Sequence, residues 1–369
     1  MRIGIDCRMY GLKHAGIGRY VLNLVNNLLP LDKENDYVLL VNKDFEREVE
    51  SKSSKIKIVT VNARHYSLKE QLLLPFILYR EKLDLVHFPH FNVPVLYFKK
   101  FVVTIHDLIK HTSKGVETTT RSPWVYWLKY LGYKIVFWLT VKRAERIMVP
   151  CQAVKNDLRR EYGLDSQKVR VTYEGFDSNI KNSSNTTAIL EKYKIKKPYL
   201  LYVGSVYPHK NIAKLIQAIK ILNHNLVVVC ARSVFWERLK EKVVQLKAEN
   251  LVTLAGFVPD SELGALYHQA EAFVFPSLSE GFGLPGLEAM AQGVAVAASD
   301  IPVFKEVYKD AAVYFEPEDP EDIADKIKKL LSDKKLQEQL KEQGSKLVKQ
   351  YSWKKMAQET LQVYNSSLR

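Results

Sequence analysis

Thirteen short apolar runs alternate with stretches of helical period along this chain, and that alternation is the signature of parallel sheets covered by helices on both faces. In the first half the runs are RIGID, YVLLVN, IKIVTV, DLVHF, FVVTIHD, RIMVP and VRVTY. A helical stretch between them, Ile17 to Leu29, places Ile17, Tyr20, Val21, Leu24, Val25 and Leu28 on one face. The polar stretch YEGFDSNIKNSSNTT, residues 173–187, breaks the pattern, which restarts with YLLYVG, LVVVC, LVTLAG, AFVFP, VAVAAS and AAVYF. A chain of 369 residues is too long for one core. The polar stretch therefore reads as a linker between two doubly wound α/β domains, residues 1–176 and 188–351.

Composition narrows the classes. Cys7, Cys151 and Cys230 are scattered without a CxxC pair, which fits a reducing compartment and leaves no structural zinc framework. The start MRIGIDCRMYG has no apolar run of signal-peptide length, and no stretch reaches the roughly 18 apolar residues of a spanning helix. A cytoplasmic protein is expected. The net charge of +14 is uneven, because residues 51–160 hold 20 Lys and Arg against 7 Asp and Glu. Such a face attracts nucleic acid, anionic lipid or phosphorylated substrates, or else serves solubility.

Open α/β sheets bind ligands beyond the carboxyl ends of their strands. Five loops stand there and are expected to face one another across a cleft: GLKHAGIGRY, HDLIKH, GSVYPHKN, GFVPDSEL and the segment after AFVFP. Gly16 and Gly18 precede the first helix, where N–H groups suit a phosphate. Val21 stands where the dinucleotide fingerprint needs its last glycine, and tight helix–sheet packing accounts for the two glycines equally well. His106, at a strand end beside Asp107, is either a buried structural histidine or a donor to a sugar hydroxyl or leaving phosphate. Lys210 lies six residues after Gly204 and just before a helix with Ile212, Leu215, Ile216 and Ile219 on one face. A cation at a helix start opposes the dipole, so a phosphate partner gives it a purpose. In SLSEGFGLPGLEAMAQG, residues 277–293, Glu280 sits at a loop rim and Glu288 two helical turns on. Gly281 and Gly283 allow close backbone approach, and Pro285 suits a first helical turn. With the N–H groups of Phe282, Gly283 and Leu284 expected to be free, the stretch suits a polyhydroxylated, phosphorylated ligand.

The pair Glu280 and Glu288 around GFGLP resembles the glutamate, seven residues, glutamate signature of the family-four retaining glycosyltransferases, which have the GT-B fold. GIGRY, HDL at 106–108, YVG through HKN at 202–211, GFVPDSEL and the closing YSW at 351–353 resemble further family motifs in the same order, so the likeness spans nearly the whole chain. The resemblance implies two Rossmann-like domains facing a cleft, with the carboxyl-terminal helix 352–369 crossing back to the amino-terminal, acceptor-binding domain. The second domain would bind the donor, a nucleotide sugar. His106, Lys210 and Glu280 are implied as catalytic side chains. Glu288 would hold the donor ribose, Glu280 the transferred sugar with the N–H groups of Phe282, Gly283 and neighbouring Leu284, and Lys210 the diphosphate near Gly204. Phe257 and Val258 would line the base, while Gly16, Gly18 and His106 complete the site. Ser205 stands where many relatives carry an arginine, and VVVCAR at 227–232 lacks a usual glycine. Diphosphate charge then rests on Lys210, helix ends and Arg232.

The family chemistry implied is retention of anomeric configuration with neither metal nor cofactor, the departing phosphate serving as base and Glu280 as a binder. The motifs resemble bacterial mannosyltransferases of polysaccharide assembly, with GDP-mannose as donor and a glycan or lipid-linked sugar as acceptor. A UDP-hexose donor, or a GT-B-like sugar-nucleotide epimerase that needs no acceptor, are the alternatives. Residues 121–146, RSPWVYWLKYLGYKIVFWLTVKRAER, interleave three tryptophans and three tyrosines with lysines and arginines. They are expected to lie in an anionic membrane interface, peripheral on the inner face of the cell membrane; the other reading is a core helix whose lysines reach out to water. A nucleic-acid-binding protein accounts for the basic window but leaves Glu280 and Glu288 unused, so no nucleic acid is expected.

Overall fold

A computed structural model of the chain describes residues 1–11, 15–43, 55–115, 119, 122–176, 186–230 and 234–368. The chain forms two compact units. Met1–Leu108, Arg121–Gly175 and Ser352–Arg369 make the first, and Ile109–Thr120 with Phe176–Tyr351 make the second. Residues 109–120, read from the sequence as part of the first domain, thus group with the second unit; Arg238 there donates to the Thr119 carbonyl at 3.3 Å.

All thirteen apolar runs are strands. In the first unit β1 (Arg2–Asp6), β2 (Asp36–Val41), β3 (Ile56–Thr60), β4 (Leu85–Phe88), β5 (Phe101–Thr104), β6 (Arg146–Val149) and β7 (Val169–Val171) form a parallel sheet in the order β3-β2-β1-β4-β5-β6-β7. In the second, β8 (Tyr199–Val203), β9 (Asn225–Val229), β10 (Val252–Gly256), β11 (Ala272–Phe275), β12 (Val296–Ser299) and β13 (Ala312–Phe315) pair in parallel in the order β10-β9-β8-β11-β12-β13. Helices cover both faces of such a sheet, so its central strands must be apolar throughout; Ile3, Ile5, Val102, Val103, Leu200 and Phe273 are all buried. The order reverses between β1 and β4 in one sheet and between β8 and β11 in the other. In open parallel sheets, ligands bind at such a switch point, beyond the carboxyl ends of the strands.

The helix Ala15–Leu31 buries Tyr20, Val21, Leu24, Val25 and Leu28, the stripe read from the sequence, and packs on the carboxyl-terminal helix Trp353–Leu368. A buried polar chain ties that last helix to the sheet: Tyr364 bonds His87 of β4 at 2.6 Å, and His87 bonds Thr104 of β5 at 2.8 Å. Burial drives the His87 pKa down to about 3, so the ring is neutral in that chain. At Gly175 an added Cβ would lie 2.2 Å from the Trp353 nitrogen, so only glycine lets the two segments pass this closely.

The helix Pro123–Arg143 departs from a core helix. Of its 21 residues only Phe137, Thr140 and Val141 are buried, while Trp124, Trp127 and Trp138 are 77%, 48% and 50% exposed. Arg143 does not belong to its free charge. The guanidinium donates to the carbonyls of Val95 (2.8 Å) and Tyr97 and stacks over Phe98 at 4.7 Å.

Candidate active site

The switch point of the second unit brings Lys210 and Glu280 together across 70 residues of sequence. β8 delivers the loop that ends in one turn of 3-10 helix, Pro208–Lys210, and its neighbour β11 delivers the loop to Glu280. The Leu278 N–H donates to the His209 carbonyl at 2.8 Å and locks the loops to each other. The Lys210 ammonium donates to the Glu280 carboxylate, which also accepts from the Ser277 hydroxyl at 2.8 Å. The side chains of Lys210 and Glu280 are 13% and 9% exposed, so the pair is largely desolvated yet reachable. Burial, with the adjacent Lys210 charge, pushes the His209 pKa down to about 4 and keeps that ring neutral.

The helix Leu284–Ala291 begins beside Glu280, and the N–H of Leu284 has no partner within it. Gly283 stands at φ +92°, and a Cβ there or at Gly286 would fall 2.4 or 2.3 Å from the Tyr308 hydroxyl. That hydroxyl donates to the Gly283 carbonyl at 2.5 Å, so a tyrosine 25 residues away shapes the turn. Phe282 is buried with its ring edge-on to Tyr351 at 5.4 Å. Glu288 is 4% exposed, and its carboxylate accepts from the Tyr267 hydroxyl at 3.4 Å. Gly204 and Ser205 follow β8, the Ser205 carbonyl accepting from Tyr202 at 2.6 Å. Phe257 (exposed) and Val258 (buried) follow β10 at the sheet edge, two strands from β8. Arg232, the compensating cation expected from sequence, lies outside the described residues. Among the described residues no three His, Cys, Asp or Glu side chains converge as a metal site requires.

In the first unit, Gly16 and Gly18 do not precede the first helix as expected but lie inside the first turns of Ala15–Leu31; Gly16 is exposed with nothing within 4 Å of where a Cβ would stand, so packing does not explain it, and Gly18 is buried. Of the two readings of His106, a structural ring or a donor to the ligand, its contacts within the unit bear on the first. Both ring nitrogens are engaged, Nδ1 with Glu174 at 2.9 Å and Nε2 with the Pro89 carbonyl at 3.1 Å. Both partners are acceptors, so the ring serves them best as an imidazolium donating from each nitrogen. Burial alone would lower its pKa, but the Glu174 carboxylate and the Asp107 charge outweigh that and raise it. At the end of β1, Arg8 is completely buried. It donates to Asp6 at 2.7 and 2.6 Å and to Glu70 at 2.7 Å, and Glu70 also accepts from Asn92 at 2.7 Å. Burial opposes ionisation of Asp6, yet the Arg8 charge and hydrogen bonds win and hold its carboxyl below the usual range.

Sequence reasoning missed Ser277, Glu174, Tyr308 and the Arg8 cluster. A hydroxyl three residues before Glu280 and an acid just after β7 were visible signals for the first two. Tyr308 offered none.

Residues 14–179 match the family model described as Glycosyltransferase Family 4, and residues 185–347 match Glycosyl transferases group 1. The chain is 32% identical over 285 residues to the O-antigen chain mannosyltransferase RfbU of Salmonella typhimurium, covering 76% of this chain and 73% of that relative. It is 28% identical to the O-antigen chain mannosyltransferase B of Escherichia coli, covering 95% and 96%. Among solved structures, sucrose-phosphate synthase from Thermosynechococcus elongatus matches with a TM-score of 0.78 at 18% identity, over 99% of this chain and 98% of that one. That likeness is one of fold, and the fold is of the GT-B type.

Proposed function

The chain belongs to the glycosyltransferases of family 4 and group 1, and from that premise we propose that it transfers mannose from GDP-mannose to a glycan or lipid-linked sugar in the assembly of a cell-surface polysaccharide. The observation that carries this reading is the Lys210–Glu280 pair at the β8 and β11 crevice; the names of the two mannosyltransferase relatives support the choice of sugar. The donor diphosphate takes Lys210 away from Glu280. The freed carboxylate, still held by Ser277, accepts hydroxyls of the transferred sugar. Glu288 serves the ribose, and Phe257 with Val258 the base.

As the bond from the anomeric carbon to the diphosphate oxygen breaks, negative charge grows on that oxygen, opposed by Lys210 and the helix start at Leu284. The acceptor hydroxyl attacks on the face the diphosphate leaves, which retains the configuration, and its proton passes to the departing phosphate. No resident metal takes part in this reading, so EDTA leaves transfer intact; a loss restored by magnesium or manganese defeats that point. The first unit holds the acceptor at an anionic membrane surface, with its basic window and exposed tryptophans as support. Among the described residues no helix is long and apolar enough to cross a membrane.

Thermal unfolding with GDP, UDP and ADP tests the donor. A ligand at a hundred times its Kd stabilises the folded state by about 2.7 kcal/mol, and GDP is expected to give the largest shift. A larger shift with UDP moves the donor to a UDP-hexose, and no shift with any of them removes the donor reading. Isomerisation of the donor without acceptor marks an epimerase.

A further inference from the structure

The outer face of the helix Pro123–Arg143 carries a pattern that donor chemistry does not use. Trp124, Leu128, Leu131, Ile135 and Trp138 recur at spacings of four and three residues, which puts them on one face, and all five are exposed. One turn further along the same face stands Lys142, also exposed. There the stripe runs into a groove of about 610 Å³, lined by Lys134, Ile135, Trp138 and Lys142 on this helix and by Glu161 and Tyr162 at the end of the helix Gln152–Tyr162.

The charges at this end are crowded. Lys168 donates to the Lys142 carbonyl at 2.8 Å. Burial, together with the charges of Lys142 and Arg146, holds the Lys168 ammonium below its ordinary range against the pull of Glu145. Lys134 reaches Glu161 at 3.3 Å, with both side chains partly open to solvent, so that contact costs little to exchange. Lys142 donates to the Tyr162 carbonyl at 3.4 Å, and an anion here gains two groove cations and eases the crowding of Lys142 against Lys168. An apolar tail attached to it gains the tryptophan and isoleucine surface that water now wets.

We infer that this groove seats one anionic phospholipid, with its phosphate between Lys134 and Lys142 and its acyl chain along Ile135, Trp138 and the stripe. The inference rests on the membrane reading above and adds to it a defined lipid site. A lipid fits better than a second copy of the chain, because two copies would bring like-charged surfaces together, residues 51–160 holding 20 Lys and Arg against 7 Asp and Glu. Tryptophan at the edge of an apolar surface is also suited to the lipid headgroup level.

The test compares the full chain with Lys134→Gln/Lys142→Gln and with the charge-matched Lys33→Gln/Lys354→Gln, two exposed lysines outside the basic window. Each is titrated with phosphatidylcholine vesicles and with vesicles that also contain phosphatidylglycerol, some carrying brominated chains to quench tryptophan. The wild type is expected to prefer the anionic vesicles and to be quenched by the brominated chains. The groove variant should lose roughly thirtyfold in affinity, the effect of two surface lysines, and most of the quenching, while the matched variant keeps both. Equal losses in the two variants overturn the groove and leave a diffuse attraction. Wild type that binds neither vesicle overturns the membrane reading itself. Self-association that shields the tryptophans without lipid assigns the stripe to a second copy and overturns the lipid site.

Discussion

The switch point between β1 and β4 and the switch point between β8 and β11 occupy the same place in two sheets that share one order over six strands, the first adding β7, yet they hold charge differently. In the second unit Lys210 and Glu280 meet at a loop rim, 13% and 9% exposed. In the proposed reading, parting them would cost a modest amount, because an entering phosphate would replace the carboxylate on the lysine and sugar hydroxyls would replace the lysine on the carboxylate. In the first unit Arg8 is wholly buried between Asp6 and Glu70, with Asn92 closing the far side of Glu70. Removing one member there strands charges that nothing from solvent can reach. The shared strand order thus puts charge at the same switch point in both units, while access to solvent separates a pair that a ligand could reach from a cluster sealed into the fold.

The sharpest way to break this comparison is Arg8→Met. It leaves two carboxylates unpaired in the interior and should lower stability by about 3–5 kcal/mol, read by urea unfolding, while the folded fraction keeps most of its turnover. Unchanged stability with collapsed turnover would make the first crevice chemical after all. Next in size is Lys210→Ala, expected to cut turnover about a hundredfold, or about 3 kcal/mol of transition-state stabilisation, with a smaller loss of stability because its partner keeps the Ser277 hydrogen bond. Near-normal turnover in folded protein would end the diphosphate role of Lys210.

Glu174→Gln should have the smallest effect, about 2 kcal/mol for a charge-assisted hydrogen bond, and it sharpens the status of His106. Because the folded pKa of His106 is raised, its contribution is complete below the unfolded value and fades as pH rises through the folded one. Wild-type Tm, followed from about pH 5 to about pH 8, should include a fall on the alkaline side that the variant lacks. Identical profiles would show that Glu174 does not hold the imidazolium.

Much of the site was legible because its signals are local. GFGLP marked a tight turn into a helix, and Lys210 stood out as a cation at a helix start. The role of His106 was not legible, since its ring partners, Glu174 and the Pro89 carbonyl, come from segments 68 and 17 residues away. Helix Pro123–Arg143 shows the same limit. Its composition allowed both a core and a surface reading, and only the packing of Phe137, Thr140 and Val141 chose between them.

By itself the sequence determined the thirteen strands, because periodicity and turn chemistry act over a few neighbouring residues. Strand order decided the rest. Lys210 meets Glu280 because β8 and β11 are neighbours in the sheet although 68 residues separate their ends, Val203 and Ala272. Tyr308 reaches Gly283 because both pack into the same interior, where a missing Cβ leaves room for a hydroxyl. Such meetings depend on which apolar faces bury one another across the whole chain, and no local pattern encodes them.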